Sequence, residues 1–260
     1  MARTDWPVAF FDDDYLTIYR PMFTEEATRA EAEFILGALG LEPGSAVLDL
    51  ACGYGRHAVR VAQRGVRVTG LDFNPRYLEA AAEEARRAGV EVRWMRGDMR
   101  SLPFEREFEG VYSYYTSFGY FSDEENERVL AGVARALVPG GRFLLEMANR
   151  DWILTHPLQR VWNQREDGSL HMEESALDLV TSRVVSRLIH ITPDGGSRLT
   201  KEYDLRVYTC AELTALCARH RLAVRQVWGG ADRSAYSTES RRLVILAERT
   251  TAAVAPMDHA

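Results

Sequence analysis

Asp49, Asp72 and Asp98 each stand at the end of an apolar run of strand character. The first is followed at once by a glycine turn, Ala51-Cys-Gly-Tyr-Gly55. Val47 to Leu50 read as a buried strand, and the residues from Arg56 read as a helix. A strand, a tight glycine turn and a helix N-terminus leave unpaired backbone N–H groups facing a ligand. Gly53-x-Gly55-x-x-Ala58 satisfies the dinucleotide pattern formally. Asp72, at the end of the second strand, is placed to accept both hydrogens of a ribose diol, which many nucleoside ligands offer. Asp49 narrows the choice. A pyrophosphate on this turn meets a carboxylate at close range, which is unfavourable in a partly dry pocket, whereas a ligand with an ammonium and a sulfonium is attracted. Asp98, in Arg96-Gly-Asp-Met99, can accept from an exocyclic adenine amine. Taken singly, Asp72 is explained as a helix cap and Asp98 as a turn residue. Together the three acids lie at the carboxyl ends of three successive strands, the edge where open α/β sheets bind ligands.

The elements that position these acids follow an alternating pattern. Thr24 caps a helix to Leu39. Strands at 46–50, 66–71, 90–95 and 108–114 alternate with helices at 56–64, 74–88 and 122–137. Asn74-Pro75 opens one helix, and the capping box Ser122-Asp-Glu-Glu125 opens another. Pro139-Gly140-Gly141 reads as a turn before a fifth strand, Arg142 to Met147. Strand and helix in alternation imply a parallel sheet. After Asn149 the alternation stops. Arg183 to Ile191 and Leu199 to Tyr208 flank Pro193-Asp-Gly-Gly196 and read as an inserted antiparallel hairpin. Thr209-Cys-Ala-Glu212 opens a helix to His220, and 222–228 and 241–248 are two last strands.

The 260 residues suffice for one sizeable core, and 46% apolar content makes the chain globular rather than disordered. A net charge of −6 argues against a broad basic surface for nucleic acid. The three cysteines, Cys52, Cys210 and Cys217, form neither a zinc pattern nor a disulfide framework. With no apolar leader and no run of transmembrane length, the expectation is a cytoplasmic protein without a membrane partner.

The chain resembles a class I S-adenosylmethionine-dependent methyltransferase. Val47-Leu-Asp-Leu-Ala-Cys-Gly-Tyr-Gly55 is similar to that family's first motif, Val68-Thr-Gly-Leu-Asp72-Phe-Asn to its second and Gly97-Asp98-Met99 to its third. Phe108 to Tyr115 is similar to the fourth, and Leu137-Val-Pro-Gly-Gly-Arg-Phe-Leu-Leu145 to the fifth-strand signature. Ala51 departs from the family, where glycine is commoner; the small side chain is expected to matter little. The resemblance implies an α/β fold: a seven-stranded, mostly parallel Rossmann-like sheet with helices on both faces and an antiparallel hairpin insertion after strand 5. It divides the chain into an arm and helix (1–40), a core (41–157), the insertion (158–208), the rest of the core (209–249) and a tail (250–260). It implies S-adenosylmethionine as cofactor, with S-adenosylhomocysteine as product. Asp72 would hold the ribose, and Asp98 with the Met99 N–H the adenine. Phe73 and Met99 would flank the adenine ring unless they are plain core. Ala51, Gly53 and Gly55 would let the backbone approach the methionine part, with Asp49 and the Tyr114 carbonyl facing its ammonium. Arg56 is read as a solvated first-turn residue, with the cofactor carboxylate as its other role.

Methyl transfer asks the protein mainly to align a lone pair with a sulfonium methyl group. Tyr114-Tyr-Thr-Ser-Phe-Gly-Tyr120, after the fourth strand, would face that group. It lacks the Pro-Pro-aromatic pattern of base-amine methylation, the paired glutamates used on arginine and the clustered carboxylates of Mg²⁺-dependent enzymes. An aromatic, hydroxyl-bearing wall suits a small organic acceptor, methylated on N or O without a metal. The aromatic and acidic N-terminal stretch is either a packed arm or a lid, with Tyr19 toward the cofactor and Tyr15 toward the acceptor. Tyr115, Ser117, Asn149, Arg206 and Tyr208 are the other acceptor-side candidates, and Tyr120 and His156 the candidate general bases. Trp162 and Trp228 read as packing. The arm and the Thr116-Ser-Phe-Gly-Tyr-Phe121 segment resemble those of small-molecule bacterial methyltransferases. Competing readings are a tRNA nucleoside methyltransferase, a non-catalytic cofactor-binding regulator and an NAD-dependent oxidoreductase, the last disfavoured by Asp49. A homodimer through the insertion is compatible with the sequence but not required by it.

Overall fold

A computed structural model describes residues 10–156 and 160–251. The beginning of the N-terminal arm with Trp6, the first residues of the expected insertion and the tail from 252 lie outside the described residues.

The alternating pattern folds into one seven-stranded sheet. Its strands are β1 (Ala46–Leu50), β2 (Arg67–Asp72), β3 (Arg93–Arg96), β4 (Phe108–Ser113), β5 (Leu137–Ala148), β10 (Leu222–Trp228) and β11 (Arg242–Arg249), in the order β10-β11-β5-β4-β1-β2-β3. β1 pairs in parallel with both β2 and β4, and only β11 runs against its neighbours. β1 is buried throughout because both faces are covered. Val47 and Leu48 point to opposite faces, as successive strand residues must. Val47 joins Phe34 and Ile35 of α2 (Glu25–Leu39) and Ala58 and Val61 of α3 (Arg56–Ala62). Leu48 joins Val129 and Val133 of α5 (Asp123–Ala136) and Leu213 of α7 (Cys210–Arg219). The chain leaves β1 toward β2 on one side and later returns to β4 on the other. Strand order reverses here, so the carboxyl ends of β1 and β4 open a crevice.

Local signals set the helix ends. Asn74 caps α4 (Pro75–Ala88) by accepting from Arg76 N at 3.0 Å, and Ser122 and Glu125 form the reciprocal capping box of α5. Three expectations need correction. Pro139-Gly-Gly141 does not precede the fifth strand but interrupts it: the β4–β5 ladder slips between Phe108↔Leu137 and Gly110↔Arg142. The insertion is not a single hairpin. β8 (Arg183–Ile191) and β9 (Arg198–Arg206) pair as expected, but β6 (Val161–Gln164) and β7 (Leu170–Asp178) extend them to a four-stranded antiparallel sheet. β6 is exposed at every residue, so no inward apolar alternation marked it. Trp162 lies on this edge strand, 71% exposed rather than packed, whereas Trp228 packs edge-on against Phe34.

The second sheet is docked on the loop after β4. Arg206 N donates to Gly119 O at 2.8 Å, and a Cβ on Gly119 would lie 2.4 Å from Arg206 O. Only glycine permits that approach.

Candidate active site

The main cavity opens at the carboxyl ends of β1, β2 and β4, beneath the N-terminal arm. Asp49, Asp72 and Asp98 all line it. Asp49 is 3% exposed, and its Oδ2 has no hydrogen-bond partner. Burial pushes its pKa up to about 7; the Tyr112 hydroxyl and the Arg56 charge oppose the shift, and Asp72 adds to it. A buried, unsatisfied carboxylate oxygen on a cavity wall is complementary to an ammonium.

Asp72 is fixed from two sides. Its Oδ2 accepts from Gly53 N at 2.8 Å and its Oδ1 from Asn74 N at 2.9 Å. The helix cap is therefore Asn74, and each Asp72 oxygen keeps an acceptor position. Burial raises this acid too, against those backbone bonds. Gly53 adopts φ +55°, and a Cβ there would have no atom within 4 Å, so its bare face looks onto open cavity. Gly55 is different. At φ +77° its Cβ would lie 2.6 Å from Trp94, so its bareness serves packing, and it does not line the cavity. Ala51 sits at φ +62°, a left-handed conformation that costs an L-residue about 1–2 kcal/mol. Glycine at that position would have no such cost, so the departure matters more than expected.

Asp98 is held by Arg100. The backbone N and Nε of Arg100 reach Oδ1 at 2.8 and 3.0 Å, and Nη2 reaches Oδ2 at 2.6 Å. Burial acts to raise the Asp98 pKa, but these bonds hold it below the usual carboxylate range. Phe73 and Met99 line the cavity beside it.

The loop after β4 forms another wall of the cavity. Tyr115 and Thr116 occupy consecutive left-handed conformations, φ +65° and +56°. Glu146, 2% exposed on β5, holds them there. Its carboxylate accepts from Tyr115 N at 2.5 Å and its backbone carbonyl from Thr116 N at 3.2 Å. Arg242 Nε lies 3.2 Å from Glu146 Oε1, and its Nη1 donates to Thr116 Oγ1 at 3.1 Å. Ser117 Oγ donates to the Tyr114 carbonyl at 3.2 Å. Tyr114, Tyr115, Thr116, Ser117 and Tyr120 all line the cavity. Burial raises the pKa of each of the phenols Tyr15, Tyr114, Tyr115 and Tyr120, so all four are protonated at neutral pH.

The arm closes the top. Phe11, just before α1 (Asp13–Tyr19), and Tyr15, in its first turn, line the cavity, and Phe11 lies edge-on to Tyr120 at 5.0 Å. The arm is tied to both neighbours. Asn74 Nδ2 donates to Phe11 O at 2.9 Å and Tyr77 OH to Asp12 O at 2.7 Å. From the second sheet, Lys201 Nζ meets Asp12 Oδ1 at 2.5 Å and Arg165 Nη1 donates to Ile18 O at 2.6 Å.

Several expected site residues are elsewhere. Tyr19 stacks behind Tyr15 at 4.4 Å and is one layer back from the cavity. His156 is excluded as a base by position. It stacks on Trp152 at the exposed end of α6 (Arg150–Thr155), outside the cavity. Asn149 is a buried clamp. Its Nδ2 donates to Ser237 O and Ser240 O, and its Oδ1 accepts from Tyr236 and Asp151 N. Arg206 spans Glu212, Asp123 and Val207 O, and Tyr208 bonds Asn126 and Asp123. Both secure the second sheet to α5 and α7 rather than meeting a ligand.

Arg56 is the residue most misjudged from sequence. Its side chain is 9% exposed, not solvated, and it lines the cavity. Nη1 is held by Thr28 and Glu31, the guanidinium lies 4.5 Å from the Phe23 ring, and Nη2 is buried with no partner. Its first-turn position after two glycines was visible; its burial depends on α2, which the spacing could not show. His57 Nε2 lies 2.9 Å from Glu31, and burial lowers its pKa to about 4, so it is neutral.

A Rossmann-like sheet with this strand order, acids on three successive strand ends and a glycine turn between them defines the methyltransferase class of α/β fold. Residues 47–141 match a family described as a methyltransferase domain. The fold is that of the class I S-adenosylmethionine-dependent methyltransferases, and the matched segment is similar to their methyltransferase domain. It is similar in structure to the CcbJ methyltransferase from Streptomyces caelestis, with a TM-score of 0.81 and 22% identity over 93% of this chain and 98% of that one. In sequence it is 27% identical to the cypemycin N-terminal methyltransferase of a Streptomyces species, over 79% of this chain and 84% of that protein. It is also 31% identical to the S-adenosyl-L-methionine-dependent Diels-Alderase iccD of Talaromyces variabilis, over 51% of this chain and 46% of that protein. The chain spans about half the length of the foremost curated relatives it matches. Among the described residues no helix is long and apolar enough to cross a membrane.

Proposed function

We propose that this chain transfers the methyl group of S-adenosylmethionine to a nitrogen atom of a small organic acceptor. The residues present fit the cofactor. The unsatisfied Asp49 oxygen suits its ammonium and the unpartnered Arg56 Nη2 its carboxylate. Asp72 suits the ribose, Asp98 the adenine amine, and Gly53 leaves room beside them. When bound, this group supplies an electrophilic methyl; the protein's part is to orient the acceptor and exclude water.

The observation that carries the choice of nitrogen is the acceptor wall. It offers rings and hydroxyls, and none of the described side chains on it is set to take a proton at neutral pH. Its phenols are held protonated by burial, and His57 is neutral with Nε2 turned to Glu31. An alcohol needs a base to become a nucleophile, whereas a neutral amine brings its own lone pair. Similarity to a relative named for methylating an N-terminus supports this reading. The cavity beneath the arm and the net charge of −6 favour a small acceptor over tRNA, and three unpaired cysteines suit a reducing compartment.

The test is a screen with isotopically labelled methyl donor over matched acceptors that differ only in amine versus hydroxyl, read by mass spectrometry. Label on amines supports the proposal; label only on hydroxyls overturns it. The relative named as a Diels-Alderase gives a second reading, in which bound cofactor shapes the pocket without transfer. Product formed with no consumption of methyl donor would favour it.

A further inference from the structure

We propose that the acceptor is an amine already neutral at physiological pH, an arylamine or heteroaryl amine rather than a strongly basic alkyl amine. The inference rests on the nitrogen-transfer reading above and narrows it. An alkyl amine titrates near the lysine value of about 10.4, so at pH 7 only about one molecule in a few thousand carries a free lone pair. It must lose a proton before it can attack, and no described side chain beside the loop after β4 is placed to take one. Glu146, the buried carboxylate under that loop, is engaged by Tyr115 N and Arg242. Glu31 is engaged by Arg56 and His57. His57 lines the cavity but turns Nε2 to Glu31, and burial holds it at about 4, too weak a base for an alkylammonium. Asp49, Asp72 and Asp98 stand on the donor side, the last two already bonded to Gly53, Asn74 and Arg100. The conjugate acid of an arylamine titrates in the carboxylic-acid range, because the ring shares the lone pair, so its nitrogen arrives unprotonated.

The wall also suits a flat ring. Phe11, Tyr15, Tyr115 and Tyr120 line the cavity, with Phe11 edge-on to Tyr15 at 4.9 Å and to Tyr120 at 5.0 Å. A further aromatic ring packs on such a surface edge-to-face or offset. Rings can instead seat an ammonium by cation–π contact, but the protein's own cations already hold several of these places. The guanidinium carbons of Arg56 and Arg242 lie 5.5 and 5.1 Å from the Tyr115 ring centroid, that of Arg100 4.5 Å from Phe121 and that of Arg20 5.1 Å from Tyr54. Arg56, Arg100 and Arg242 are each ion-paired, so what excludes the ammonium is occupancy of the rings, not net charge. In the transfer the nitrogen lone pair forms the new N–C bond, and the S–C bond breaks with its electron pair left on sulfur. The N-methyl arylammonium so formed is acidic enough to give its proton to water. No step asks the protein for a base.

The experiment incubates the full chain with isotopically labelled S-adenosylmethionine and probes of similar size, aniline, benzylamine, cyclohexylamine and phenol, read by mass spectrometry. Benzylamine keeps the ring but is strongly basic, so it separates ring packing from basicity. At about pH 7.5 aniline is expected to take label at least about tenfold faster than either alkyl amine. At saturating donor its rate should stay within about twofold from about pH 7.5 to about pH 9, whereas a substrate that must first lose a proton gains about tenfold per pH unit. Faster label on benzylamine or cyclohexylamine, a steep rise of the aniline rate with pH, or no label on any probe overturns the proposal. Calorimetry with S-adenosylhomocysteine on the same preparation keeps the failures apart. Binding with label confined to the alkyl amines overturns this inference alone. Label on phenol and on none of the amines overturns the nitrogen reading with it, and failure to bind S-adenosylhomocysteine overturns the methyl-donor reading itself.

Discussion

Binding of S-adenosylhomocysteine should release a proton from Asp49. Burial holds this carboxyl at about 7 rather than its ordinary 3.8. In the empty protein the raised pKa favours the protonated acid on folding. That contribution to stability is complete below the ordinary value and is lost as pH rises from there through about 7. An ammonium placed against the unsatisfied Oδ2 favours the ionised form instead. At pH 7 about half the molecules carry the proton, so binding should expel about half a proton per site. Between pH 8 and pH 6 the ionised fraction falls about tenfold, and the affinity should fall with it by about the same factor. Asp49→Asn removes the titration, flattens the profile and weakens binding at pH 8 by about tenfold to a hundredfold, the loss of one charge-assisted hydrogen bond. Calorimetry in two buffers of different ionisation enthalpy at pH 7 measures the proton directly. Zero proton exchange, or an exchange unchanged by Asp49→Asn, would refute the placement of the ammonium beside Asp49. Asp72 is also raised by burial, but its oxygens are tied to Gly53 and Asn74, so the asparagine variant at 49 isolates the effect.

Three further outcomes follow from the same geometry. Ala51→Gly relieves the left-handed strain of about 1–2 kcal/mol at a backbone-entropy cost of about 0.5–1 kcal/mol, so the melting temperature should rise by about 2 °C; a fall would mean the Ala51 methyl is needed for packing. Asp72→Ala should weaken S-adenosylhomocysteine binding at least about tenfold and also lower the melting temperature, because the Gly53 N–H and the buried Asn74 N–H lose their acceptor; unchanged affinity would remove Asp72 from the ribose. His156→Ala should leave steady-state methyl transfer within about twofold of wild type, since the side chain lies outside the cavity; a loss of more than about tenfold would return it to the chemistry.

The sheet was legible because its signals are local. Fully apolar runs, Asn74-Pro75 and Ser122…Glu125 each act within a few residues, and the order of the motifs gave the topology. The three acids were legible for the same reason: each ends a strand. What lay hidden depends on contacts distant in the chain. Arg56 is buried only because Thr28 and Glu31 of α2 come to meet it. Arg206 and Tyr208 looked like ligand groups, yet their partners lie on α5 and α7. Asn149 does end a strand on the ligand edge, but residues 237–240 return to use its amide. β6 and β7 carry polar residues on an open face, and their pairing is set by β8 rather than by their own alternation.

Lys201, which fastens the arm to the second sheet through Asp12, is the one lysine among 31 arginines in the sequence. Arginine cannot give up its proton at any ordinary pH, and its guanidinium is a poor nucleophile; a lysine ε-amine freed from its carboxylate is a good one. The clasp is thus a unique chemical address among the side chains. With the arm seated as it is, the amine is buried and ion-paired, which slows its acylation. The rate of acylation at this one side chain, compared with and without S-adenosylhomocysteine, therefore reports how tightly the arm is held, with no engineered probe.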